Sequence, residues 1–332
     1  MQLSRVERAQ ESAVKSGSVD TLYKILITDG LEQSGLSALS AAAHVDDRSG
    51  ISPTDLLQIL PEYDALIVRS RTRVTAGLLQ AAPRLKVVGR PGVGVDNIDL
   101  QAAQAHGLIV VNTPVATTQA VAELVIGLIF SLARAIPQAD SSMKNGKWLK
   151  KELIGAEIGG KTLGVLGMGQ IGASVAEKAA GLGMTIIGYD AFLSDDQIAR
   201  RGARPVDLDE LYASSDYITI HTPLTDQTRG LIDGEAISKL KPGVRLVCTA
   251  RGGIIAEEAL LAALDGGRIA GAALDVYENE PPGATPLVCH PNLIATPHIG
   301  AQTVEAQRRA AVDVAEEVLA ALEGRPLRWR VI

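Results

Sequence analysis

The chain has 332 residues, 46% hydrophobic and only 3% aromatic, with a net charge of −6 and a pI of about 5.5. That length is enough for two ordinary domains, whose cores must be filled by Ala, Leu, Val and Ile. The acidic balance argues against a nucleic-acid partner, which requires a basic footprint, but leaves room for a local basic pocket for a small anion.

Residues 1–22 read as a polar extension without the apolar run of a secretory signal. KILIT (24–28) predicts a first strand, and 36–43 a helix. Ser52 and Pro53 predict a second helix start, a capping hydroxyl followed by proline in the first turn, with the helix running to about residue 60. DALIV (64–68) predicts a strand ending at Arg69 and Ser70. Thr75 caps a helix through 82. A strand at 85–89 ends at Arg90-Pro91-Gly92-Val93-Gly94, and a helix (99–106) and a strand (108–111) follow. An almost wholly apolar helix at 117–134 should be buried on most faces, which suits a domain junction or a subunit interface. Its apolar stretch, 120–133, is too short to cross a membrane and contains Glu123. Residues 141–151 form a polar, basic stretch.

The segment KTLGVLGMGQIGASVAEKAAGLGMTIIGYD (161–190) predicts strand, glycine turn, helix and strand, ending on an acid. Gly167, Gly169 and Gly172 have the G-x-G-x-x-G spacing. The first allows a tight turn, the second a close approach of pyrophosphate, and the third close helix–strand packing. The helix start at Gln170 and Ile171 offers N–H groups to phosphates. Asp190, 18 residues past the last glycine, suits the adenine ribose hydroxyls. Ala191 and Phe192 follow it, with no adjacent Arg for a 2′-phosphate, so NAD is expected rather than NADP.

The alternation then resumes. Strands are expected at 217–220, 245–249, 269–274 and 293–295, helices at 236–240, 257–264 and 302–322, and a tail at 325–332 that returns to the first domain. Strands alternating with helices predict an α/β protein of two doubly wound parallel-sheet domains. One spans 23–113 with 299–332 and is discontinuous; the other spans 114–298. Two cysteines, Cys248 and Cys289, lack C-x-x-C spacing, so no metal site is expected, and both read as reduced thiols of a cytoplasmic protein.

Three residues after predicted strands carry chemistry. Arg251 in ARGG can hold a carboxylate with two parallel hydrogen bonds. His298 in TPHIG can take a hydroxyl proton, and Glu280 in DVYENEPP can orient that imidazole. The trio suits oxidation of a 2-hydroxy acid with nicotinamide as hydride acceptor. Singly, each also reads as an ordinary surface or loop residue. His44, His106, His221 and His290 read as structural, His221 being the main competitor for a catalytic role.

GMGQIG with Asp190, HTPL, ARGG, AGAALDVYENEPP and TPHIGAQT together resemble the D-isomer-specific 2-hydroxyacid dehydrogenases, from about residue 24 to about 320. The resemblance implies a Rossmann NAD domain and a flavodoxin-like substrate domain. It implies Arg251, Glu280 and His298 as the catalytic set. Gln170, Ile171, Asp190, Thr222, Thr249, Ala250, Arg251, Asp275, His298 and Gly300 become cofactor contacts, with Asp275 near the nicotinamide amide. Segments such as DALIVRSRTRVT and LKVVGRPGVGVDNID resemble members acting on a phosphorylated 2-hydroxy acid, whose phosphate needs cations. Arg69, Ser70, Arg90, Gly92, Val93 and Gly94 become substrate contacts, Val93 also touching the cofactor. Arg71 and Arg73 are weaker candidates, and Lys150 or Lys151 would reach a neighbouring subunit. The same likeness implies a homodimer or higher homo-oligomer, with no membrane partner. Two departures stand out: Val93 replaces a frequent Thr and Cys248 a frequent Asn. The chain stops near 332, before the regulatory serine-binding domains of many such enzymes, so feedback by that route is not expected. Competing readings are reduction of glyoxylate, hydroxypyruvate or another small 2-keto acid, and a non-enzymatic NAD-sensing corepressor-like protein.

Overall fold

The computed structural model describes residues 22–332; the expected extension, but for its last residue, lies outside the described residues. Two compact units appear. The first runs to Thr113 and resumes over Ala311–Ile332; the second is Pro114–Ala310.

In the first unit, β1 (Lys24–Ile27), β2 (His44–Asp47), β3 (Ala65–Ile67), β4 (Val87–Arg90) and β5 (Ile109–Asn112) form a parallel sheet of order β2-β1-β3-β4-β5. That is the flavodoxin-like order. Successive strand residues face opposite sides, so both faces are apolar. Ile25, Ile27, Ile67 and Val111 meet Val314 and Val318 of the helix Val304–Leu322, while Leu26, Leu66, Val88 and Val110 meet Leu56, Leu60 and Leu79. Three helices start where expected, with Ser52, Thr75 and Asp99 each accepting a first-turn N–H, while the first, Gln33–Ser40, lies three residues earlier than the expected 36–43. The tail returns as expected, antiparallel to β5, with Val331 N–H donating to Val110 O at 2.8 Å. Buried Glu317 accepts the N–H groups of Arg328 and Trp329 and anchors it.

In the second unit, β6 (Thr162–Leu166), β7 (Thr185–Tyr189), β8 (Arg204–Pro205), β9 (Tyr217–Ile220), β10 (Val244–Cys248), β11 (Ile269–Leu274) and β12 (Leu293–Ala295) are ordered β12-β11-β10-β9-β6-β7-β8, again parallel. Counted from β6 this is the Rossmann order with a seventh strand added, and β6 and β9 flank the switch point where such sheets bind ligands. The helix Gln170–Gly181 buries Val175, Ala176 and Ala179 against the sheet and against the helix Thr118–Arg134.

The helix Thr118–Arg134 forms where expected. It buries one face, through Ala122, Val125, Leu128 and Ile129, but leaves Phe130 37% exposed. A second helix, Ile136–Lys144, follows at a 66° bend. Ala135 makes the turn in left-handed backbone at φ 49°, and Pro137 occupies the next helix's first turn, where its missing N–H costs nothing. No single helix among the described residues is long and apolar enough to cross a membrane.

Candidate active site

Each glycine of the turn after β6 has its own reason. A Cβ on Gly167, at φ 94°, would stand 2.9–3.0 Å from backbone atoms of His221 and Thr222. On Gly172 it would stand 2.0 Å from Gly167 O. On Gly169 it would meet nothing within 4 Å. The outer two glycines therefore close the turn and the middle one faces open space, at the N-terminus of a 12-residue helix opening with Gln170 and Ile171. Asp190, at the end of β7, braces this turn: its carboxylate accepts the N–H groups of Met168 and Phe192, both at 2.9 Å. Thr222, beside the turn, and Thr249, after β10, have buried hydroxyls with no hydrogen-bond partner. Buried polar atoms are rarely left unpaired. An open glycine turn, an acid at the next strand end and two orphaned hydroxyls fit a dinucleotide.

His221 lies beside them. Its Nε2 meets Thr219 Oγ1 at 2.9 Å, and burial pushes the imidazole down to about 3, so it stays neutral near pH 7. Cys248, ending β10, is also inert, since burial pushes its thiol up to about 11.

The predicted trio is assembled by two loop contacts. His298 Nδ1 meets Glu280 Oε2 at 2.7 Å, with both side chains partly exposed. Glu280 is itself held by Tyr277 N–H at 3.1 Å to Oε1. Asp275, wholly buried at the end of β11, accepts from Thr296 Oγ1 (2.6 Å), Ile299 N–H (2.8 Å) and Gly300 N–H (2.8 Å). Its carboxylate thus straps both flanks of His298 to the second unit's sheet.

Arg251 follows Ala250 after β10 and donates to the Ala250 carbonyl at 2.6 Å. The next residue sets the spacing of the site. A Cβ on Gly252 would lie 1.8 Å from Tyr277 O, so the Arg251 loop crosses the Glu280 loop at backbone contact. We expect Gly252→Ala to force these loops apart, costing about 1–3 kcal/mol as overpacking does, with lower melting temperature and lower activity together. A melting curve within 1 °C of the parent would refute the crossing.

The substrate candidates of the first unit sit in two braced loops. Asp29, after β1, accepts the N–H groups of Arg69 (2.7 Å) and Thr72 (3.0 Å) and the Thr72 hydroxyl (2.6 Å). Burial alone would raise the Asp29 carboxyl, but these hydrogen bonds and the Arg71 cation hold it below its ordinary value. Asn97 closes the loop from the other side through Arg69 O and Thr72 O. Asp29 and Asn97 are the supports that sequence reasoning missed. Arg71, though exposed, folds back onto the carbonyls of Thr28 and Ile51 and onto Asp29, so it braces the fold. Arg69 is partly buried, which pushes its guanidinium below its ordinary value, and Ser70 is exposed. In the second loop, Gly92 has φ 137°, and a Cβ there would stand 1.9 Å from Arg90 Nη1. The bare glycine makes room for the guanidinium. Thr113 and Asn112 hold the loop at Gly92 and at Val93 O, leaving the Val93 side chain 39% exposed beside Gly94.

The sequence pattern described as D-isomer specific 2-hydroxyacid dehydrogenase, NAD binding domain, matches residues 126–300. The chain belongs to this family. Its Rossmann unit is therefore the family's NAD-binding domain. Among solved members, a glyoxylate reductase from Paecilomyes thermophila superposes with a TM-score of 0.86 at 31% identity, covering 93% of this chain and 98% of that one. A D-lactate dehydrogenase from Aquifex aeolicus, complexed with NAD and lactic acid, superposes with a TM-score of 0.79 at 29% identity, covering 90% and 96%. By sequence, the D-3-phosphoglycerate dehydrogenase of Synechocystis is 46% identical over 311 residues, 94% of this chain and 56% of that relative. This 2-hydroxyacid dehydrogenase chain thus spans about half the length of the curated relatives it matches.

Proposed function

We propose that the chain oxidises 3-phospho-D-glycerate to 3-phosphooxypyruvate with NAD, the entry to serine synthesis. The observation that carries the chemistry is the Glu280–His298 contact at 2.7 Å. Glu280 engages Nδ1, so Nε2 is the nitrogen left to take the substrate hydroxyl proton, the usual division of labour in an oriented imidazole. Glu280 stabilises the imidazolium that results. Arg251 grips the substrate carboxylate and turns the reacting carbon toward His298. Bound NAD supplies the hydride acceptor.

The phosphate is the reason to prefer this substrate. Arg69 follows β3 by two residues and Arg90 ends β4 of the same sheet, both on preformed loops, and the 46% identical relative is named for a phosphorylated substrate. In this reading the first unit is the substrate-binding domain and Ser70, Gly92, Val93 and Gly94 complete the contacts. The second reading, a small unphosphorylated keto acid such as glyoxylate, is favoured by the structural likeness to a glyoxylate reductase. Arg69→Ala/Arg90→Ala decides between them. It should lower kcat/KM for 3-phosphoglycerate by about 10²–10³-fold, two lost charge-assisted hydrogen bonds, and change turnover of glyoxylate by no more than a few-fold. Equal losses on both substrates would remove the phosphate role.

We further infer a cytoplasmic homo-oligomer, most simply a dimer. Supporting it are the two free cysteines and an exposed apolar face on consecutive helices, with Phe130, Ile136 and Met143 around a cavity of about 550 Å³ and Trp148 74% exposed nearby.

A further inference from the structure

We propose that Arg201 is a positioning residue of the NAD site, which aims the middle amide of the glycine turn at the pyrophosphate. The inference builds on the family's NAD-binding domain and concerns a residue outside every motif identified in the sequence. Arg201 closes the C-terminal end of the short helix Asp195–Arg200, before β8. Its Nη1 donates to the carbonyl oxygen of Met168, inside GMGQIG and 33 residues away in sequence.

Met168 is held from every side. Its N–H donates to Asp190 Oδ2 at 2.9 Å. Its carbonyl accepts from Arg201. Its side chain is wholly buried, with the thioether beside Gly188 of β7, where an added Cβ would lie 3.0 Å from Met168 Sδ. In a trans peptide the C=O and the following N–H point in opposite directions. Asp190 takes the Met168 N–H, so the Gly167 carbonyl is turned the other way, onto Gly172, whose missing side chain admits it. By the same rule Arg201, by taking the Met168 carbonyl, turns the Gly169 N–H away from itself. Gly169 is the glycine whose surroundings are open. It caps the helix Gln170–Gly181, whose first-turn N–H groups lack intrahelical acceptors.

Without Arg201 the Met168–Gly169 peptide can rotate. That would swing a carbonyl, the wrong end of the dipole, toward a pyrophosphate. The guanidinium also places a positive charge one residue from the phosphate site, where Coulomb attraction favours an anionic ligand. Asp190 and Arg201 thus clamp adjacent peptides of one turn, and their effects should not be independent.

The test is direct binding to the folded apoprotein. NADH is titrated by its fluorescence into the parent, Arg201→Met, Arg201→Lys, Asp190→Asn and the double variant Asp190→Asn/Arg201→Met, with apo melting temperatures recorded alongside. Arg201→Met should raise the NADH Kd about tenfold with the apo melting temperature shifted by only a few degrees. Arg201→Lys should recover part of the loss, and the double variant should lose less than the product of the single losses. A Kd for Arg201→Met within twofold of the parent would overturn the proposal. So would a loss that Lys does not relieve, or one that simply follows a fall in melting temperature. Absence of NADH binding in the parent would instead refute the cofactor assignment on which the proposal rests.

Discussion

His298→Ala is expected to lose about 10²–10⁴-fold in kcat for NAD-linked oxidation of its D-2-hydroxy acid, the usual worth of a positioned acid–base group. The variant should still bind NADH, because the glycine turn, Asp190 and the two orphaned threonines lie on other loops. Stopped-flow or steady-state NADH production, paired with NADH titration, separates lost chemistry from lost binding. Glu280→Gln should lose less, since an amide oxygen can still accept from Nδ1 while the charge that stabilises imidazolium is gone. Turnover in His298→Ala within a few-fold of the parent would transfer the role elsewhere. His221 would be a weak base for it, since burial pushes its imidazole down to about 3.

Asp275→Ala should have the largest effect on stability. The carboxylate is wholly buried and accepts three donors, Thr296 Oγ1, Ile299 N–H and Gly300 N–H. Each donor left unpaired in the interior costs about 1–3 kcal/mol, so at least about 3 kcal/mol is expected, with about 9 kcal/mol the upper end for the three. For a unit of this size that corresponds to a fall of about 6 °C or more in melting temperature. Activity should fall as well, because the lost bonds flank His298 on both sides. Thermal unfolding followed by circular dichroism reads the first effect and kcat the second. A melting temperature within 2 °C of the parent would mean that solvent or a neighbouring group replaces the carboxylate. The resemblance suggested Asp275 as a cofactor contact; its geometry makes it first the strap of the histidine segment.

The glycine turn and the trio were legible in the sequence because each rests on a short local motif. Three glycines at fixed spacing, or an arginine directly after a strand, declare themselves within a few residues. The supports were not legible, because they act across the chain. Asp29 holds a loop about 40 residues away and Asn97 holds the same loop from about 25 residues away. Arg69 and Arg71 look alike as neighbours in RSR, yet only folding shows that Arg71 folds back onto Thr28, Ile51 and Asp29. Two strands were also hidden. β2 is HVDD, without a buried residue, and β8 is two residues long and contains Pro205. The helix Ile136–Lys144, with Pro137 in its first turn, was not expected either. The parallel-sheet class survived these omissions because every interior strand was apolar, and interior strands determine the class.

His298 is, with Ala135, one of the two non-glycine residues with positive φ among those described, at 53°. Left-handed backbone costs a side-chain-bearing residue about 1–2 kcal/mol, and glycine or asparagine tolerate it best. The imidazole proposed as acid–base group therefore sits at a position where backbone preference favours a different residue. Selection for thermal robustness and selection for turnover pull in opposite directions at this one codon. A library screened only for heat resistance would drift toward Gly or Asn at 298 and enrich folded, cofactor-binding, inactive protein, so any such campaign needs catalysis in its readout.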